Sequence, residues 1–162
     1  MKSLVVYYSH FGNTAYVASR LQEALAAKGS ADIFALEYAD KKKSLARQFL
    51  YRTFPSLVNL APIPAELKEY DVLCLGIPVI LGSPAPAFQK YLNICTNLYN
   101  KKIICCYVYG IERDARNYAK QIEKMLTPKI NQPIINIFIH WGNVHIEGFI
   151  TQAINEAIAK LG

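Results

Sequence analysis

The chain lacks several things, and each absence narrows what it does. No apolar run approaches the roughly 18–20 residues needed to cross a bilayer. The chain enters a strand pattern at once, with no apolar leader followed by a small-residue cleavage site. Both point to a cytoplasmic protein. Cysteine is sparse: Cys74, Cys95, Cys105 and Cys106 are the four in 162 residues. None forms a C-x-x-C pair, so neither a dithiol redox motif nor a cysteine zinc site is indicated. Buried thiols are expected instead, three in core strands and Cys95 on the apolar face of a helix.

Acids are scarce as well. Twelve Asp and Glu face eighteen Lys and Arg, a net charge of +6. No acid intervenes between Lys41 and Arg52, where Lys41, Lys42, Lys43, Arg47 and Arg52 make a basic block. Lys101 and Lys102 form a smaller pair. Such a block serves nucleic acid, an anionic membrane or an acidic protein partner. Without interleaved aromatic platforms or a reading motif, no nucleic acid is expected.

What is present is a well-cored chain, 52% hydrophobic, of a length that suits a single domain over 1–162. Strand patterns run over Leu4–Tyr8, Ala31–Leu36, Val72–Gly76, Ile103–Tyr109 and Ile134–Ile139. Helical spacing follows each of them. Val17, Leu21, Ala24 and Leu25 make the stripe of the first helix, Asn13 to Lys28, which Gly29 stops. Phe88, Tyr91, Leu92, Cys95 and Leu98 make the inner face of a helix reaching about Tyr99. Tyr118, Ile122, Met125 and Leu126 mark the next, and Ile150, Ile154, Ala157 and Leu161 the last. Between the second and third strands, Asp40 is placed to cap a basic helix over 40–54. Leu45, Phe49 and Leu50 would be its apolar face, and Pro55, Pro62 and Pro64 turn the loop that follows. Alternating strands and helices give an α/β doubly wound parallel sheet with right-handed crossovers. Ligands in such sheets sit beyond the carboxyl ends of the strands, where the loops after strands one, three and four converge.

The first of these loops, Ser9-His10-Phe11-Gly12-Asn13-Thr14, joins a strand to a helix with hydroxyls and one glycine. Its amides and the helix N-terminus make either an anion cradle or a well-capped turn. It holds no Lys or Arg, and the chain has no G-x-x-x-x-G-K-[ST] pattern. That favours gripping a phosphate over transferring one. His140, Trp141 and His145 follow strand five, with Glu147 nearby. Without a clear third ligand no metal is expected, and Trp141 reads as a half-buried anchor for the last helix or a cover over a ligand.

Two segments, VVYYSHFGNTAYVASRL and YDVLCLGIPVILGSPAPAFQKYL, resemble the flavodoxin family's phosphate loop and first flavin loop. KKIICCYVYG is a weaker echo of its fourth strand. The resemblance implies a flavodoxin-like five-stranded sheet of order 2-1-3-4-5, which is the flavodoxin order. It also implies FMN as cofactor. Ser9, His10, Phe11, Gly12, Asn13 and Thr14 would surround the phosphate. Pro78, Val79, Ile80, Leu81 and Gly82 would lie along one side of the isoalloxazine, and Tyr109, Gly110 and Ile111 would approach it from the other loop. The chain departs from the family where an aromatic usually shields the ring, near Ile80 or Leu81. The glycine-rich run after strand four is cut short by Ile111 and Glu112, and the chain is basic where electron carriers are typically acidic. Two functions follow. One is an FMN redox protein, carrying electrons to a partner protein or using NAD(P)H to reduce a quinone-like small-molecule acceptor. The other is a flavodoxin-fold protein without flavin, acting as a binding or regulatory module. The basic helix at 41–54 would dock an acidic partner or anionic membrane, or remain a solvated face.

Overall fold

A computed structural model describes residues 1–40, 45–80, 82 and 84–162. Five parallel strands, β1 (Lys2–Tyr7), β2 (Ser30–Ala35), β3 (Val72–Pro78), β4 (Lys102–Tyr109) and β5 (Ile134–His140), pair in the order β2-β1-β3-β4-β5. The helices are α1 (Asn13–Ala26), α2 (Leu45–Thr53), α3 (Pro86–Ile94), α4 (Glu112–Leu126) and α5 (Glu147–Ala159). The order is the expected one, and it reverses direction between β1 and β3.

The alternating side chains of β1, β3 and β4 feed two cores. Leu4, Val6, Leu73, Leu75, Ile77, Ile103, Cys105 and Tyr107 pack against α3 and α4. Val5, Val72, Cys74, Ile104, Cys106 and Val108 pack against α1 and α5. Burial on both faces is why these strands read as nearly unbroken apolar runs. Val17, Leu21 and Leu25 of α1 are fully buried, each contributing roughly 1.5–3 kcal/mol. All four cysteines are free and buried. Burial pushes the Cys105 and Cys106 thiols up to about 12. No helix among the described residues is long and apolar enough to cross a membrane.

Three local expectations change. Gly29 follows α1 without a left-handed turn; it is required because a Cβ there would sit 2.1 Å from the Met1 carbonyl oxygen. Helix α3 ends at Ile94, short of Tyr99, because Cys95 turns extended and Thr96 pairs with Glu66 in a parallel bridge. The largest change is in α2. Phe49 is 69% exposed and Leu50 also faces solvent, while the side chain of Leu45 and residues Lys41, Lys42 and Lys43 lie outside the described residues. Among the described side chains of α2 the buried one is Tyr51, whose ring lies 4.8 Å from that of Tyr38. Asp40 forms an ion pair with Arg47 at 2.7 Å and accepts from the Tyr51 hydroxyl at 3.3 Å; the turn it is expected to cap lies outside the described residues. Apolar spacing misplaces this face because a large aromatic and its hydrogen-bonded partners outcompete an aliphatic stripe.

Candidate functional site

The loop after β1 is built by Gly12, whose φ of +94° opens the turn into α1. The Gly12 amide donates to Ser9 Oγ at 3.1 Å, and no side chain caps the helix. The first amide of α1 to find a helical partner is that of Tyr16, on the Gly12 carbonyl at 3.0 Å. Those of Asn13, Thr14 and Ala15 have none among the described residues. Unpaired amides at a helix N-terminus select an anion, and the helix dipole favours the same charge. Beside these amides, His10 Nδ1 is buried and meets no hydrogen-bond partner among the described residues. Its ring is held edge-on against Phe11 at 4.5 Å.

Gly76 lets α1 approach the sheet beneath this loop. A Cβ there would meet Tyr7 Cβ at 2.8 Å and Thr14 Cγ2 at 3.4 Å. Thr14 is buried by that approach, so the first turn of α1 is set by the sheet below it.

A cavity of about 540 Å³ extends from this loop, within the usual range for small-molecule sites, about 300–1,000 Å³. Ser9, His10, Phe11, Asn13 and Thr14 line one end. Pro78, Val79, Ile80 and Gly82 line one side of the other end, and Tyr109, Gly110 and Ile111 the opposing loop. The two loops are joined where the Val79 amide donates to the Val108 carbonyl at 2.9 Å. Gly12 shapes the turn without lining the cavity, and Leu81 lies outside the described residues.

Val108, Asp114 and Trp141 line the cavity too; of these the sequence pointed only to Trp141, as one of its two readings, a cover over a ligand. Trp141 is not a half-buried anchor: it is 61% exposed and lies 3.9 Å from where a Gly110 Cβ would be. It therefore places an aromatic in the cavity wall beside Gly110, from the turn after β5 rather than from the loop after β3. Its position directly after strand five was the available signal. Asp114 sits in the first turn of α4, a place that spacing alone does not aim at a cavity. Phe11, Ile111 and Trp141 are all exposed around the cavity's walls.

No Lys or Arg is among the lining residues that the structure describes. The cation standing behind the wall is Arg52 of α2, which donates to the Ile80 carbonyl at 2.9 Å. The histidines after β5 do not assemble a metal site. His140 Nδ1 accepts from the Gly142 amide at 3.2 Å, His145 packs on Tyr16, and Glu147 is held by Arg20 and Tyr16. No group of three or more His, Cys, Asp or Glu able to hold a metal occurs among the described residues.

No family model matches the chain, and no curated protein matches it. Solved structures do. A provisionally assigned flavoprotein from Bacteroides uniformis is 18% identical, covers 91% of this chain and 97% of its own, and superposes with a TM-score of 0.69. Oxidised flavodoxin 2 from Bacillus cereus is 20% identical over 98% of this chain and 97% of its own, with a TM-score of 0.60. An NADH:FMN oxidoreductase in its apo form is 15% identical over 99% of this chain and 88% of its own, with a TM-score of 0.64. With the strand order and the placement of helices on both faces, these likenesses establish that the chain has the flavodoxin-like fold.

Proposed function

We propose that the chain binds FMN and is a redox protein that uses NAD(P)H to reduce a small, planar, quinone-like acceptor. One observation carries the reading: a single cavity has unpaired helix amides and a buried unpartnered His10 Nδ1 at one end and apolar walls at the other. A flavin mononucleotide has the same division, a dianionic phosphate and a flat apolar ring. The Asn13, Thr14 and Ala15 amides, the Thr14 hydroxyl and His10 would hold the phosphate. Val79, Ile80, Tyr109 and Trp141 would flank the ring, whose burial excludes water from one side. When bound, FMN supplies reversible two-electron chemistry, and the protein binds, orients and tunes it.

The fold likeness to an NADH:FMN oxidoreductase supports a nicotinamide reductant. The exposed apolar groups of Phe11, Ile111 and Trp141 favour a flat acceptor that lies against them. A flavin-free binding module is suggested by the missing aromatic near residue 80 and the shortened glycine run after strand four; Trp141 in the cavity wall supports the flavin reading on the first of these.

Fluorescence titration of FMN into the protein tests the reading. Tight quenching by FMN, with riboflavin binding much more weakly, is expected; no quenching at saturating FMN overturns it. NAD(P)H oxidation that depends on a quinone then separates a reductase from a carrier, since a carrier turns over only with a partner protein.

A further inference from the structure

Helix α2 presents Arg52 to the cavity wall from behind. Its guanidinium donates to the Ile80 carbonyl at 2.9 Å, and Ile80 lines the cavity. The same loop is tied at its start by the Val79 amide on Val108 and at its end by the Ala85 amide, which donates to the Tyr118 hydroxyl at 2.6 Å. Between those two anchors Arg52 is the charged group holding the backbone, among the described residues. Burial pushes the Tyr118 hydroxyl up, and the Ala85 amide first and Arg52 next oppose that shift. Among the described residues no Lys or Arg lines the cavity itself. A part-buried guanidinium behind an apolar wall is screened less than a surface charge. It therefore favours negative charge on whatever lies against the other side of that wall.

We propose that Arg52 is a positioning residue of the candidate flavin site: it fixes the ring-side loop through Ile80 and biases the site toward the reduced, anionic flavin. This rests on the flavin reading above. Hydride transfer from a reduced nicotinamide delivers two electrons and one proton, leaving NAD(P)+ and a ring that has gained one negative charge. The neutral oxidised ring has no such charge for Arg52 to attract, so the guanidinium strengthens binding of one redox form over the other. The planar fork of Arg52 also matters, because Lys keeps the charge without the same reach to a carbonyl.

The experiment compares wild type with Arg52→Met and Arg52→Lys, each first checked for a cooperative thermal transition without cofactor. Two quantities are read: hydrogen exchange over 79–85 in the cofactor-free protein, and the dissociation constants of oxidised and reduced FMN, the latter through the bound-flavin potential. In Arg52→Met, exchange over 79–85 should quicken severalfold. The preference for reduced over oxidised FMN should fall about tenfold, equal to a potential about 30 mV lower for a two-electron couple. Arg52→Lys should also loosen the loop but hold the preference within about twofold of wild type, because the charge remains. If both variants leave exchange and preference unchanged, the proposal is wrong. If Lys loses the preference as Met does, the charge has no role and that half of the proposal falls. Wild-type protein that takes up no FMN overturns the flavin reading and the redox bias with it. The cofactor-free exchange still decides whether Arg52 holds the loop.

Discussion

The two ends of the cavity are built in opposite ways. The cradle is local: six consecutive residues and the first turn of α1 supply its amides, and Gly76 is its main long-range support. The ring end is assembled from the loops after β3, β4 and β5, with Asp114 from α4 and Arg52 reaching in from α2. A local site tolerates change elsewhere because its geometry is set by neighbouring dihedrals. An assembled site moves whenever one contributing element shifts. The difference also separates ligand groups, since the cradle would read the phosphate and the wall the ring.

The largest expected effect strikes what the ends share. Strands β3 and β4 carry Cys74, Cys105 and Cys106, and Cys95 follows α3. Burial holds the Cys95 thiol up to about 11 and those of Cys105 and Cys106 up to about 12, against an ordinary value of 9.0. Cys74 shifts in the same direction. These raised groups stabilise the folded state fully below pH 9, where the thiols are neutral in both states. Above it the unfolded chain ionises first, so stability falls by about 1.4 kcal/mol per pH unit for each thiol until the folded-state values are reached. Denaturant midpoints at pH 8 and pH 10.5 should show the loss, and FMN and riboflavin affinity should decline together.

Gly76→Ala comes next. The added methyl collides with Tyr7 and crowds Thr14, costing about 1–3 kcal/mol as overpacking. Calorimetry should show a melting temperature lower by several degrees. Because the first turn of α1 is displaced, FMN should weaken more than riboflavin. Thr14→Ala sharpens the contrast without the collision: losing one hydroxyl bond to a charged phosphate should weaken FMN about tenfold. Riboflavin should be almost unaffected, and equal losses for both would remove Thr14 from the phosphate end. The smallest effect is Trp141→Ala, which should weaken FMN and riboflavin alike by about fivefold through lost ring contact. A loss confined to FMN would put Trp141 at the wrong end.

The same division governs what was legible beforehand. Ser9 to Thr14 could be read from residue types because the strand, the turn and the helix start are contiguous, and each leaves its own composition. The strand order followed from the resemblance, and the two-sided burial from unbroken apolar runs. The other end is legible in part: Pro78 to Ile80 and Tyr109 to Ile111 fall on the wall, whereas Trp141 reads as either an anchor or a cover and Asp114 gives no signal. Nothing in their local spacing says which way they face. Helix α2 misled most, since its pattern predicts Phe49 and Leu50 inward and its cations outward. Tyr51 packing on Tyr38, with Arg47 and Arg52 drawn to Asp40 and the Ile80 carbonyl, turned it over.

By itself the sequence determined the elements, the two-sided sheet and the strand–loop–helix junction at Ser9 to Thr14, because these depend on periodicity and on dihedral preferences within a few residues. Only the tertiary structure decided the ring end and the direction in which α2 presents its arginines. Those depend on which distant side chains reach one another, and on a balance between aromatic packing and hydrogen bonding that no single stretch of chain records.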